Sequence, residues 1–266
     1  TSTTTFEGQG TSVSPYLIKT ADDLVKLSNL CSGKAVASGV SEFKSAHYAL
    51  TANINMSGKA FSPITPFSGS FDGKNYTISN LTVTPNSDNT PTGMFGEVMG
   101  ATIKNVKFTN ASVLVTSTSQ LRTGGLVGLA TNSTIDNITF DGKVSSAANV
   151  QYVGTLETRS ASAVVGGVVG ESVNTAMSNI TFSGEVGSTA GQYVGGIAAV
   201  VDGGSVTNAK FAKGANLYTT MNNVGGIAGM IGNDATISKC TVEAPVMSKY
   251  AYLGGIVGRM QSGTVS

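Results

Sequence analysis

A five-residue glycine motif recurs through the chain and restricts its fold more than any other feature. The motif at Gly124–Gly128 reads Gly-Gly-Leu-Val-Gly, and variants of it begin at Gly166, Gly195, Gly225 and Gly254. Subtracting successive positions gives spacings of 42, 29, 30 and 29 residues, so the unit is near 29 residues and the longest spacing holds an insertion. A repeat of this length indicates a row of structural units that bury their apolar sides against one another.

Apolar residues and an asparagine recur at fixed places within each unit. Apolar residues spaced by two mark strands with one buried face, but the spacing from Ile135 to Ile138 is three. This shift by one residue recurs in every unit and predicts a corner. We predict that these asparagines lie inside the solenoid, where each can bond to the next unit and satisfy groups that would otherwise be buried unpaired. The predicted structural asparagine ladder comprises Asn80, Asn105, Asn137, Asn179 and Asn208, with Lys239 in that place in the last full unit.

Stacked short strands account for all of these patterns. We therefore predict an all-β, single-stranded parallel β-helix, a solenoid whose rungs have about 29 residues and stack about 4.8 Å apart. The glycine pairs would stand at a second corner, where a Cβ would clash or φ must be positive. A third corner, which would give each rung three faces, is predicted at three dipeptides: Asp141-Gly142, Ser183-Gly184 and Lys213-Gly214.

The pattern divides the chain into a cap and a body. Residues 1–64 are predicted to form an N-terminal cap with a disordered start, a strand at Pro15–Ile18, a short helix over Thr20–Leu30 and a first rung. Thr20 suits the helix N-cap, and two aspartates follow it in the first turn. The helix would shield the first rung from solvent and from strand pairing. Residues 65–266 are predicted to form the β-helix.

Three stretches of the chain resemble bacterial GLUG-motif surface proteins, which are frequent in gut Bacteroidetes. They are the Phe67–Asn80 stretch, the strand at Pro15–Ile18 and the glycine repeats. The resemblance covers about residues 8–266 and implies a right-handed parallel β-helix in an exported, adhesin-like protein at the cell surface. It supplies no catalytic residues. Lys239 in the asparagine column and Ala199 in place of the last glycine depart from the family pattern.

Composition narrows the range of partners. The chain has 34 glycines, no tryptophan and only 12% charged residues, which suits a β-solenoid with many corners. Its net charge of +1 gives no electrostatic footprint for nucleic acid or an anionic membrane. No apolar stretch reaches the length of a membrane span. The Thr/Ser-rich start, which lacks a methionine, is interpreted as a mature or trimmed N-terminus after an export signal or tether.

Catalytic, cofactor and metal sites are not expected. The single His47 excludes a histidine zinc cluster, and no Ser/His/Asp spacing supports a triad. The alternative is a β-helix polysaccharide lyase or glycoside hydrolase, because right-handed β-helices include such enzymes. Hydrolysis of this kind needs two carboxylates several ångströms apart. Asp136 with Asp141, or Glu171 with Glu185, could converge, but the acids are scattered among the rungs. We therefore predict that the chain is not an enzyme.

A ligand surface is predicted from the column two residues before each glycine pair. Tyrosine beside arginine or asparagine stacks on sugars or anchors protein contacts, and the insertion between the first two motifs adds charged residues to one face. The alternative is an ordinary solvent-facing column with an inert hairpin. The predicted surface comprises Arg122, Tyr152, Glu157, Arg159, Tyr193, Asn223 and Tyr252. Its expected ligand is a glycan or a host or bacterial surface protein.

The last residue, Ser266, falls midway through another unit. A bare solenoid end exposes unpaired strand edges. Two expectations follow: the sequence is a fragment of a longer protein, or this end associates with the end of another copy.

Overall fold

Parallel strands stack into a solenoid of about seven turns. The computed structural model describes residues 6–34, 40–86, 90–149, 163–189, 191, 193–220, 223–249 and 252–266. The predicted all-β parallel β-helix with a short N-terminal helix is confirmed. Among the described residues, no helix has both the length and the apolar character of a membrane span.

The described helices and strands follow one another in this chain order: β1 (Tyr16–Ile18), α1 (Ala21–Cys31), α2 (Val40–Ser45), β2 (His47–Leu50), β3 (Ile54–Asn55), β4 (Ser70–Asp72), β5 (Thr77–Ser79), β6 (Thr82–Val83), β7 (Phe95–Met99), β8 (Thr102–Val115), β9 (Arg122–Gly124), β10 (Val127–Thr131), β11 (Thr134–Ser146), β12 (Val164–Gly166), β13 (Val169–Phe182), β14 (Glu185–Ser188), β15 (Tyr193–Gly195), β16 (Ala198–Phe211), β17 (Asn216–Thr219), β18 (Val224–Gly225), β19 (Ala228–Gly232), β20 (Thr236–Ser238), β21 (Thr241–Val242), β22 (Val246–Ser248), β23 (Leu253–Gly254), β24 (Val257–Met260) and β25 (Thr264–Val265).

Helix α1 begins where the sequence predicts. The Thr20 hydroxyl accepts a hydrogen bond from the Asp23 backbone N–H (3.2 Å), and the Asp23 carboxylate accepts one from the Thr20 N–H (3.1 Å). This reciprocal capping box satisfies two donors that the helix start leaves free. One face of the helix then buries Leu24, Leu27 and Leu30 against the first strands. The second helix, α2, was not predicted.

Like residues of successive rungs lie side by side. Phe140 is in register with Phe108 on one side and Phe182 on the other, and Phe211 continues the column. All four rings are buried, with centroids 5.1, 5.7 and 5.8 Å apart along the column. Each rung therefore buries its apolar face against the next one, as the repeat requires.

The parallel stack begins within the predicted cap. Strand β1 pairs with β2 through Tyr16 and Tyr48, and β2 pairs with β4 through Tyr48 and Phe71. Strand β4 then joins the body, since Phe71 lies beside Ile103 of β8. Strands before residue 65 thus belong to the same stack as those after it, while α1 and α2 lie at its N-terminal end.

The glycine pairs are required by close approach of backbones. A Cβ built on Gly166 would stand 1.8 Å from the carbonyl oxygen of Val169. One built on Gly125 would stand 2.4 Å from the carbonyl oxygen of Gly167 and 2.6 Å from the Phe140 ring. The described glycines of the pairs are absent from the residues with positive φ. Of the two reasons predicted for these glycines, steric exclusion of a side chain is the one that the structure shows.

Candidate ligand-binding surface

The asparagine column forms a hydrogen-bonded row along the solenoid. The Asn137 Nδ2 donates to Asn105 Oδ1 (2.8 Å), and the Asn208 Nδ2 donates to Asn179 Oδ1 (2.7 Å). Between these pairs, the Asn179 Nδ2 donates to Asp136 Oδ1 (2.9 Å). The four asparagines have φ between 53° and 58°, the left-handed region that asparagine tolerates better than most residues. This conformation turns the chain at the corner and causes the one-residue shift in the alternation of apolar residues that the sequence shows.

Two features of this row differ from the prediction. Asn137, Asn179 and Asn208 are exposed, so the row lies on the outside of the solenoid. Asn80 belongs to a separate row, in which its Nδ2 donates to Asn55 (3.0 Å) and its Oδ1 accepts from Asn110 (2.7 Å). The cause is the pairing of β5 with the later part of β8, which brings Ile78 beside Phe108.

Asp72 terminates the row at its N-terminal end. Its Oδ1 accepts a hydrogen bond from the Asn105 Nδ2 (3.1 Å) and another from the Lys74 backbone N–H (2.9 Å). Partial burial raises the pKa of the Asp72 carboxyl. These hydrogen bonds and the charges of Lys74 and Lys104 lower it by more, so the pKa lies below its ordinary value. The row therefore ends on an ionised acceptor.

We expect Asn137→Ala to lower the free energy of unfolding by about 2 to 3 kcal/mol. The left-handed backbone costs alanine about 1 to 2 kcal/mol, because alanine lacks the polar side chain that lets asparagine tolerate it, and the lost hydrogen bonds add about 1 kcal/mol. Asn137→Gly keeps the conformation but loses the amide, so its loss should be smaller. Urea unfolding followed by circular dichroism measures both. Equal stability of wild type and Asn137→Ala would contradict a stabilising role for the row.

The predicted ligand column is in register but largely buried. Arg122, Val164 and Tyr193 lie side by side on β9, β12 and β15, and Asn223 and Tyr252 follow in the same column. Tyr193 is only 1% exposed and Asn223 only 4%, whereas Tyr252 is 68% exposed. The column does not form a continuous aromatic surface.

Burial of Tyr193 has a definite cause. Its side chain belongs to a second buried cluster, which comprises Val164, Tyr193, Ala199, Val200 and Met230. Ala199, where other rungs have glycine, is part of this packing. Beside the cluster, the Arg122 Nε donates to the Glu171 carboxylate at 2.6 Å, and both side chains are mostly buried. Of the other predicted surface residues, Tyr152, Glu157 and Arg159 lie outside the described residues.

An open groove lies at the third predicted corner. It has a volume of about 460 Å³ and crosses four successive rungs. Its lining consists of Asn110, Ala111, Ser112, Asp141, Gly142, Lys143, Ser183, Gly184, Glu185 and Gly214. A second depression of about 170 Å³ shares Lys143 and Glu185 with the groove and adds Ser145, Gly187, Asn216 and Tyr218 on strands β11, β14 and β17. We refer to the two together as the corner groove.

Close stacking of glycines leaves the floor of the corner groove bare. A Cβ on Gly142 would stand 2.3 Å from the Ala111 carbonyl oxygen, and one on Gly184 would stand 1.7 Å from the Gly142 carbonyl oxygen. The polar side chains stand at the side of this floor, in register as Ser112, Lys143, Glu185 and Asn216. The Lys143 Nζ lies 3.6 Å from the Glu185 carboxylate, and both side chains are exposed.

The four acids considered for polysaccharide cleavage are not assembled into a pair. Asp136 lies in strand β11 and accepts hydrogen bonds from Ser178 and Asn179, whereas Asp141 lines the corner groove. Glu171 is bonded to Arg122, and Glu185 stands in the groove beside Lys143. Within the described ranges, no three His, Cys, Asp or Glu side chains come together as a metal site requires.

One contact between a potential base and a hydroxyl was not predicted from the sequence. His47 and Ser70 are neighbours in the pairing of β2 with β4, and the His47 Nδ1 lies 2.5 Å from the Ser70 Oγ. Sequence spacing could not predict this pair, because 23 residues separate the two and their pairing depends on the register of the first rungs. The contact places a potential base next to a hydroxyl on the face of the first rungs.

Comparison with known proteins agrees with this architecture. The GLUG motif family model matches residues 119–145, which span β9, β10 and most of β11. The chain is similar to halomucin of Haloquadratum walsbyi, with 37% identity over 112 residues; the match covers 42% of the chain and 1% of halomucin. The chain thus corresponds to a very small part of that relative.

Two solved structures share the fold to different extents. A Bacteroides ovatus structure described as a "putative immunoglobulin A1 protease" has a TM-score of 0.60 and 20% identity, and the alignment covers 98% of this chain and 87% of that one. A structure described as an IgA1 protease has a TM-score of 0.45 and 18% identity, over 93% of this chain and 21% of that one. At this identity, the first likeness shows the fold alone.

These findings correct one prediction and confirm another. The prediction that the chain is not an enzyme is corrected, because a structure with the same fold is described as a "putative immunoglobulin A1 protease". The predicted resemblance to GLUG-motif proteins is confirmed by the motif match and by the fold, while the Bacteroidetes origin stays a prediction. The chain is thus a parallel β-helix that contains a match to the GLUG motif, which lies on the strands that the repeat predicts.

Proposed function

We propose that the chain is the ligand-binding part of an exported, adhesin-like protein at the cell surface. The observation that carries this proposal is the corner groove, which crosses four rungs without an obstructing side chain on its floor. The GLUG motif and the similarity to halomucin support a surface-type protein. The ligand is an extended glycan or surface protein that lies along one face of the solenoid.

The repeat explains why an extended ligand suits this face. Successive rungs present the same backbone positions about every 4.8 Å, so a long ligand can make a contact of similar geometry with each rung. Solenoids of this kind offer continuous surfaces that are held rigid by stacking. A rigid surface loses little conformational freedom on binding, which favours affinity.

Paired charge removals test the groove. We expect the double variant Lys143→Ala/Glu185→Ala to lose binding to an immobilised panel of glycans and bacterial surface proteins. The matched control is Lys210→Ala/Glu243→Ala, which removes another exposed pair with a similar separation, 3.4 Å, from residues outside the groove lining. The control should bind like the wild type. Binding that survives in the groove variant, or a complete lack of binding by the wild type, would overturn the proposal.

A second candidate function is hydrolysis at the His47–Ser70 pair. The observation that favours it is the 2.5 Å contact between the ring nitrogen and the hydroxyl, since a neighbouring base is what a serine nucleophile needs. The immunoglobulin A1 protease description of a structure with this fold suggests peptide bonds as the substrate class. In such a role His47 would accept the Ser70 proton during attack on the carbonyl carbon.

An active-site probe separates the two candidates. If the pair hydrolyses peptides, a fluorophosphonate should label the wild type, and immunoglobulin A1 should be cleaved. Both signals should vanish in Ser70→Ala and persist in Ser79→Ala, which removes a hydroxyl from β5, the next strand along the chain. Cleavage that persists in Ser70→Ala, or the absence of both labelling and cleavage in the wild type, would exclude this pair.

A further inference from the structure

We propose that the corner groove binds a neutral polysaccharide parallel to the solenoid axis, with one sugar ring stacked on Tyr218. This inference rests on the proposed binding function and names the ligand class and the central contact. Tyr218 is 51% exposed although it lies in the middle of strand β17. An exposed aromatic side chain in a regular strand leaves apolar area in water unless a partner covers it.

The neighbours of Tyr218 on the two preceding rungs leave room beside its ring, whereas Met247 stands in register with it on the following rung. The outward column on this face runs through Ser145, Gly187 and Tyr218 in register. A Cβ added to Gly187 would have a single neighbour within 4 Å, the Ser145 Cβ at 3.6 Å. The two rungs before Tyr218 therefore carry almost no side chain in this column. The resulting depression is bounded by the ring on one side and is continuous with the larger groove.

Aromatic stacking suits a sugar in this depression. The face of a tyrosine ring carries partial negative charge, and the axial C–H groups of a pyranose present a weakly positive apolar face. The two faces stack without desolvating the sugar hydroxyls, which point outward around the ring. A sugar that rests on Ser145 and Gly187 would also contact polar side chains of the adjoining column.

The adjoining column supplies hydrogen-bonding groups of both kinds. Lys143 donates, Glu185 accepts, and the Asn216 amide does both, so the three match sugar hydroxyls, which donate and accept. They occupy equivalent places on consecutive rungs. A pyranose unit in an extended chain is about as long as the rung spacing of about 4.8 Å, so consecutive sugars meet consecutive rungs.

Charge favours a neutral chain. Lys143 and Glu185 lie 3.6 Å apart and largely neutralise each other, and Asp141 adds one negative charge to the lining. A polyanion would find no positive field in the groove, and a polycation would find little negative field. The groove therefore selects by shape and hydrogen bonding.

Backbone pairing disfavours a peptide at this site. A peptide often binds by adding a strand to an exposed edge, where it uses free N–H and C=O groups. In this solenoid the backbone groups of β11, β14 and β17 already pair with one another along the axis. A ligand that lies along the axis over this face meets side chains instead of a strand edge.

Tyrosine variants test the inference directly. Isothermal titration with neutral polysaccharides (xylan, mannan, and β-1,3- and β-1,4-glucans) should find at least one that binds, and Tyr218→Ala should weaken it at least tenfold. Tyr218→Phe, which keeps the ring, should bind within about threefold of the wild type. Tyr252→Ala is the matched control, because it removes an exposed ring that precedes β23 of the other sheet and does not line the corner groove. Gly187→Leu should block binding by filling the depression.

The outcomes separate this inference from the proposed function. If Tyr218→Ala and Gly187→Leu leave the binding of a neutral polysaccharide unchanged, the sugar does not bind at Tyr218. The proposed binding function would still stand. Binding only of hyaluronan or another anionic polymer would overturn the ligand class. If proteins bind and the Lys143→Ala/Glu185→Ala variant abolishes that binding, the groove is a protein site. Circular dichroism of each variant confirms that it folds, and the comparison of Tyr218→Ala with Tyr218→Phe keeps the test valid if Gly187→Leu does not fold.

Discussion

Gly166→Ala should destabilise the β-helix by about 4 kcal/mol or more, which places it among the most damaging single substitutions. The added Cβ would lie 1.8 Å from the Val169 carbonyl oxygen and 2.9 Å from the Ala199 backbone nitrogen. Both of these neighbours are backbone atoms in hydrogen-bonded ladders, so neither can move aside as a flexible side chain would. Relief of the clash requires the rungs to separate, with loss of hydrogen bonds and core contacts.

Gly187→Ala is the matched control for this substitution. Gly187 also lies in a strand, but its added Cβ would meet nothing closer than the Ser145 Cβ at 3.6 Å. We expect the control to change stability by less than about 1 kcal/mol. Urea unfolding monitored by circular dichroism compares the two. Unfolding of Gly166→Ala at the same urea concentration as the wild type would show that the rungs do not approach as closely as the structure indicates.

Phe182→Ala is expected to cost about 3 to 5 kcal/mol, since it removes a fully buried ring and leaves a cavity. The ring stacks between Phe140 and Phe211, with interplanar angles of 7° and 8°. Loss of these two stacking contacts adds to the cost of the lost apolar burial. Phe182→Leu refills part of the space and should cost clearly less.

The location of the damage is as informative as its size. Because each rung contacts mainly its two neighbours, amide hydrogen exchange in Phe182→Ala should rise first in β11, β13 and β16. Tyr218→Ala removes an exposed ring of similar size and should change stability little. A uniform rise in exchange over the whole chain, or a loss below about 1 kcal/mol, would contradict a column of stacked rings as the main support of this region.

Most of the fold could be predicted because the stack places like residues in line. A buried column tolerates the same residue type in every rung, and so the positions of Phe108, Phe140 and Phe182 recur in the sequence. The same logic failed for Asn80. The turn at residues 73–76 lengthens that rung, so Asn80 aligns with Asn110 in space.

The candidate site was much harder to predict. Alternation shows that Tyr193 points away from the main core, but it cannot show that neighbouring strands build a second buried cluster around it. Lys143, Glu185 and Asn216 form one column of the corner groove, yet they differ in chemistry and give no repeating signal. The glycine dipeptides at the third corner were visible in the sequence and mark the floor of the groove, so the place could be predicted but its lining could not.

Register between rungs has a consequence for how such a chain can change in length. Duplication of one complete unit would insert a turn whose columns continue those on either side, and the rod would grow by about 4.8 Å. Deletion of a unit would shorten it by the same step. The distance between the N-terminal helix and the corner groove can therefore change only in steps of one whole repeat. Evolution can change this distance without altering the structure at either end.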